Sequence, residues 1–210
     1  MNSTDFESLK DRVSRQLQTL PPSSTSFCAK TGFQTIIPTK AGICSAYSEV
    51  RTKFNAAIPS DTKSRAELFG PAVRLAFHDA GEANLQVAAD RLGPDGCMAQ
   101  NGDSHGLTEA TSVVNTVLEP IWQGVCDRIS RADFWVLVGK LAVEASASVP
   151  VSVPFQYGRR DNVACEGGAG RLPSGQADLA EISRVFVSQM GLTLSDAGKG
   201  DVNTVRTICI

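Results

Sequence analysis

Gly70-Pro71-Ala72-Val73-Arg74-Leu75-Ala76-Phe77-His78-Asp79-Ala80-Gly81 decides the reading of this chain. Arg74 and His78 stand four residues apart, so on a helix they share one face, one turn above the other. Leu75 and Phe77 supply apolar packing beside them. A guanidinium and a titratable imidazole held side by side suit heterolytic cleavage of a polar bond. The imidazole moves a proton while the cation stabilises developing negative charge. The competing account is a hydrogen-bonded structural histidine in an ordinary amphipathic helix, and the rest of the sequence has to discriminate.

Outward from this stretch the pattern is mainly helical. Asp61 or Ser64 can cap the helix that carries Leu68, Val73, Leu75 and Phe77 through His78. Before it, residues 44–57 show helical spacing in Tyr47, Val50 and Phe54, ended by Pro59. After it, residues 80–106 are rich in Gly, Asp and Asn, with Gly93-Pro94-Asp95-Gly96 as a turn. Residues 107–125 return to helical periodicity, and Ser130-Arg131-Ala132-Asp133 opens a very apolar, buried helix over 134–147. Residues 149–157 read as extended around two prolines, 159–175 as loop, and 179–190 as a last helix. That last helix carries Ile182, Val185, Phe186 and Met190 on one stripe. Trp122 and Trp135 sit among apolar neighbours, which favours core packing for both.

With 210 residues, 42% hydrophobic and 20% charged, the chain can bury a sizeable core in one domain or two small lobes. A net charge of -2 gives no footprint for nucleic acid or an anionic membrane surface, and no apolar run approaches the length of a membrane span. The six cysteines suit an oxidising, secretory compartment, and none forms a Cys-x-x-Cys metal knuckle. Cys28 and Cys44 flank a Pro-, Gly- and Thr-rich loop that they could close, with free buried thiols as the alternative. Residues 1–20 read as an amphipathic helix with Phe6, Leu9, Val13 and Leu17 on one face, not as a secretory signal.

The central stretch resembles the distal helix of plant- and fungal-type haem peroxidases, whose signature reads Arg-x-x-Phe-His-Asp. Further matches follow in the same order. Ser130-Arg131-Ala132-Asp133-Phe134-Trp135 looks like the family's buried helix, and Gly158-Arg159-Arg160-Asp161 with Gly170-Arg171-Leu172-Pro173 resembles its haem-edge loop. Met190-Gly191-Leu192-Thr193 looks like the lead-in to the proximal helix. The resemblance implies a mainly α fold: an N-terminal region of helices and a Cys-containing loop (1–60), a distal peroxidase lobe (61–196), and a non-family tail (197–210). Phe77, where the ascorbate and cytochrome c branch carries Trp, leans toward the secreted branches.

What the resemblance implies chemically is a hydrogen peroxide-dependent haem b enzyme oxidising small reducing substrates one electron at a time. His78 is then the general acid/base, Arg74 the electrostatic stabiliser, Phe77 a residue above the haem, and Pro173 part of the entrance loop. Asp79 and Asp95 match carboxylates that bind a distal calcium ion. Cys97 stands where the calcium-binding pattern has Ser, and a thiol is a poor ligand for a hard cation. Ser104 stands at the position of an Asn that orients the distal His, unless Asn101 or Asp103 substitutes. The two histidines are His78 and His105, so the proximal iron ligand expected after Thr193 is absent. The resemblance therefore predicts a product truncated before that ligand, from a splice form or read-through after Ala197, with the proximal lobe largely missing. The alternative function is a non-catalytic helical remnant or interaction module; a calcium-binding module is a weaker third.

Overall fold

A computed structural model describes residues 39–87, 93–97, 113–162, 171–174 and 176–193. Five helical elements, and no strand among the described residues, form a single bundle core. Helix α1 (Lys40–Ala57) starts earlier than the periodicity suggests because the Thr39 hydroxyl accepts from the Gly42 N–H at 3.0 Å, capping the first turn. It buries Ile43, Ala46, Val50, Phe54 and Ala57, the spacing of one helix face. Ile58 turns extended ahead of Pro59, as a residue preceding proline prefers.

Helix α2 (Thr62–Gly81) is the one that carries the quoted stretch. Of the two candidate caps, Asp61 is the one used: its carboxylate accepts from the Ser64 N–H at 2.9 Å. Helix α3 (Glu119–Gln123) is entered through a π-helical stretch, Val114–Leu118. Helix α4 (Arg131–Ser146) starts at Ser130, whose hydroxyl accepts from the Asp133 N–H at 3.0 Å. It buries Phe134, Trp135, Leu137, Val138, Leu141 and Ala142. The last helix, α5 (Leu179–Ser183), continues as a π-helical stretch, Arg184–Gln189.

Helices α2 and α4 form the most extensive helix pair. Gly139 permits it, since a Cβ there would lie 2.7 Å from the Ala76 Cβ. Val50 and Phe54 of α1, Leu68 and Leu75 of α2, Ile121 and Trp122 of α3, and Phe134 and Trp135 of α4 share one apolar cluster. The segment 149–157 forms neither helix nor strand. No described helix is long and apolar enough to cross a membrane.

Cys44 is a free, exposed thiol, so it does not close the loop with Cys28. Cys97 and Cys126, both buried, are disulfide-bonded. The single α-helix expected over 179–190 is also modified. The helix turns π-helical at Arg184–Gln189, while the stripe itself stays inward, with Val185 buried and Ile182, Phe186 and Met190 half-buried. The helix over 1–20, Cys28, Ser104, His105 and the tail 197–210 lie outside the described residues.

Candidate active site

The site is built on the last two turns of α2. Arg74 and His78 meet as their spacing predicts: the Arg74 Nε–H donates to His78 Nε2 at 3.4 Å. His78 is 6% exposed, while Arg74 and Phe77 are half-buried. Other half-buried arginines sit on carboxylates: Arg128 on Glu49, Arg131 on Glu119 and Arg159 on Asp133. Arg74 pairs with no carboxylate among the described residues, and its polar contact there is the neighbouring imidazole. A half-buried guanidinium without a counter-ion is poised for an anion or a polarised oxygen.

Phe77 stacks on Phe186 with ring centroids 5.7 Å apart and planes 17° off parallel. It meets the His78 ring edge-on at 6.0 Å and 74°. Leu172 lies over Gly81, one turn along α2, so the segment 171–174 that contains Pro173 abuts the same end of the helix. The segment is tied there by two hydrogen bonds. Arg171 Nη1 donates to the Glu82 carbonyl at 3.2 Å, and Gln189 Nε2 donates to the Arg171 carbonyl at 3.0 Å.

Asp79, fully buried, points away from solvent, and both of its carboxyl oxygens lie 3.2 Å from the Gly96 amide that donates to them. Burial above all, reinforced by the neighbouring charges of Asp95 and Glu82 against the Gly96 hydrogen bond, pushes its carboxyl up to about 8. Asp95 is also raised, chiefly by burial, despite accepting from Cys97 N at 3.1 Å and Asn162 Nδ2 at 3.0 Å. The structure thus brings Asp79 and Asp95 together. No group of three His, Cys, Asp or Glu side chains able to hold a metal occurs among the described residues. Cys97 offers a disulfide sulfur, 2.8 Å from the Asn162 carbonyl oxygen, rather than a cation ligand.

Sequence reading missed how the remaining motifs interlock. Asp161 accepts from Arg131 N at 3.1 Å and Ala132 N at 2.9 Å, covering the orphan amides that open α4. In return Asp133 accepts from Gly158 N at 2.7 Å, Arg159 N at 3.2 Å and Arg159 Nη1 at 2.9 Å. Gly96 presses into this joint: at φ +78°, a Cβ on it would lie 2.9 Å from Asp161 Oδ1 and 3.0 Å from Ala132 N. Gly96 therefore links the carboxylate behind His78 to the start of α4. The two tryptophans are buried as expected, and Arg131 lies over both, 4.0 Å from the Trp122 ring centroid and 5.9 Å from that of Trp135.

A family model described as peroxidase matches residues 47–197. The match spans most of the chain, and the chain belongs to the peroxidase family. No curated protein matches the sequence. The mainly helical architecture agrees with the helical peroxidase fold, and proteins of this family generally bind haem.

Proposed function

We propose that the Arg74/His78 pair is the peroxide-activating site of a haem-dependent peroxidase that uses hydrogen peroxide to oxidise small reducing substrates. The observation that carries this reading is the half-buried Arg74 guanidinium, paired with no carboxylate among the described residues and resting against the His78 imidazole. At 3.4 Å that contact is weak and readily replaced. A peroxide inserted between the two gives its proton to His78 Nε2 and sets its oxygens against the guanidinium. His78 returns the proton to the departing oxygen, which leaves as water, while Arg74 stabilises the charge on that oxygen as the bond breaks. Haem, when bound, supplies the electrons for breaking the peroxide bond and recovers them singly from reducing substrates.

The residues present suit the distal side of that group. Arg74 and His78 supply the polar chemistry, Phe77 an apolar wall and Pro173 the nearby loop. Asp79 and Asp95 are the residues that would hold calcium. Two buried carboxylates in contact disfavour full ionisation, and a divalent cation supplies the missing counter-charge.

Haemin titration followed in the Soret region tests the proposal. Saturable binding with a sharp Soret band, a response to peroxide, and loss of that response in both His78→Leu and Arg74→Leu are expected. Saturable binding with an unchanged peroxide response in those variants refutes the assigned roles. Absence of saturable binding favours the second reading, a helical module without peroxidase activity.

A further inference from the structure

We infer that Phe186 is a positioning residue for this site: it holds the Phe77 ring, and through it the room beside His78 that a peroxide must enter. The inference rests on the peroxidase reading above and adds a residue to which no motif pointed. Phe186, Phe77 and His78 form a continuous series of rings, stacked at 5.7 Å and then edge-on at 6.0 Å. Gly81 and Leu172 bound Phe77 elsewhere. A Cβ on Gly81 would lie 3.9 Å from Phe77 Cζ and 2.5 Å from Leu172 Cδ2, so the ring has α2 on one side and the 171–174 segment close by.

Phe186 can hold Phe77 because its own backbone is anchored. Its carbonyl accepts from Leu192 N at 2.9 Å, and three residues on, the Gln189 carbonyl accepts from Leu85 N at 2.7 Å. Gln189 is 5% exposed, and its side chain donates to the Arg171 carbonyl. The π-helical widening at Arg184–Gln189 coincides with this ring, and an extra residue in a turn re-aims the side chains around it. Offset stacking fixes the plane of Phe77 more narrowly than an aliphatic neighbour can. Without the Phe186 ring a void opens against Phe77, the ring relaxes into it, and the space beside the imidazole widens. Hydrogen peroxide, already small enough, gains little; a bulky organic hydroperoxide gains access.

The experiment has two arms, both on the full chain. In the haem-free protein, the imidazole C–H resonances are followed by NMR in Phe186→Leu and Phe186→Tyr. The sequence has two histidines, and His105→Gln assigns the pair. Phe186→Leu shifts the His78 resonances, whereas Phe186→Tyr, which keeps the stack, retains the wild-type position. In the haem-loaded protein, the kcat/KM ratio for cumene hydroperoxide over hydrogen peroxide rises about tenfold in Phe186→Leu, the scale of a pocket altered by one or two carbon atoms. It returns toward the wild-type ratio in Phe186→Tyr. If Phe186→Leu does not fold, Phe186→Met replaces it with the same expectation. A folded variant with His78 resonances unmoved overturns the inference, as does an unchanged ratio. Failure to bind haemin is a different result: it removes the peroxidase reading and leaves the NMR arm to decide whether Phe186 positions His78.

Discussion

Replacing Asp79 by Asn tests whether the residue behind His78 is held as a neutral acid. Asp79 is buried against Asp95 and Glu82, and its carboxyl titrates near 8 rather than at the ordinary 3.8. The folded chain therefore keeps a proton that the unfolded chain has lost throughout the interval between these values. A state that binds more protons is weakened as protons become scarce, so folding stability falls as pH rises through that interval. The slope is about 1.4 kcal/mol per pH unit. Between pH 5 and pH 8 the wild-type chain should lose roughly 4 kcal/mol from this group alone, a large share of the 5–15 kcal/mol available to a domain. Asn cannot ionise, yet its oxygen still accepts from the Gly96 amide. Asp79→Asn should match wild type within about 1 kcal/mol below pH 4 and exceed it progressively above pH 5. Urea unfolding, followed by the fluorescence of the buried Trp122 and Trp135 with a chelator present, measures both curves. Parallel pH dependences would falsify the argument, because they would mean that Asp79 ionises in the folded state as readily as in the unfolded one.

Three further outcomes follow from the packing. Gly139→Ala places a methyl 2.7 Å from the Ala76 Cβ and should cost about 1–3 kcal/mol in urea unfolding; Ala76→Gly in the same chain should recover most of it. Asp133→Ala removes the acceptor of two amides and one guanidinium N–H. It should cost about 2–4 kcal/mol, against about 1 kcal/mol for the cap variant Ser130→Ala, and equal losses would contradict the assignment. Arg131→Met leaves Glu119 buried without its cation. It should cost about 3–5 kcal/mol, with Glu119→Gln restoring much of the loss in the double variant, as a cycle of thermal unfolding would show.

Local features of this fold were legible where sequence and structure share a short range. The Arg74/His78 pair needs no more than helical spacing, and the caps at Asp61 and Ser130 follow from a polar side chain reaching three residues ahead. The burial of 131–146 was equally plain, because its apolar residues run nearly all round the helix. What escaped the reading depends on docking. Nothing in the spacing says that Asp161 covers the start of a helix 30 residues earlier, or that Gly158 returns to Asp133. Phe186 read as one apolar position on a stripe; its stack on Phe77 depends on the fold bringing the π-helical stretch Arg184–Gln189 to the end of α2. Cys44 shows the opposite failure: it flanks a loop convenient to close, but proximity in sequence to a second cysteine does not make a bond.

The reciprocal bonding of Asp161 to the α4 amides and of Asp133 to the Gly158 and Arg159 amides has a consequence for how the molecule comes apart. Neither partner can release the other singly: freeing the 158–161 turn strips acceptors from the helix start, and fraying the helix start strips them from the turn. An irregular segment that would ordinarily open on its own is therefore bound into the cooperative unit of the most buried helix. The amides of Arg131, Ala132, Gly158 and Arg159 should share one opening free energy, and a stretch without regular secondary structure resists hydrogen exchange as a core helix does.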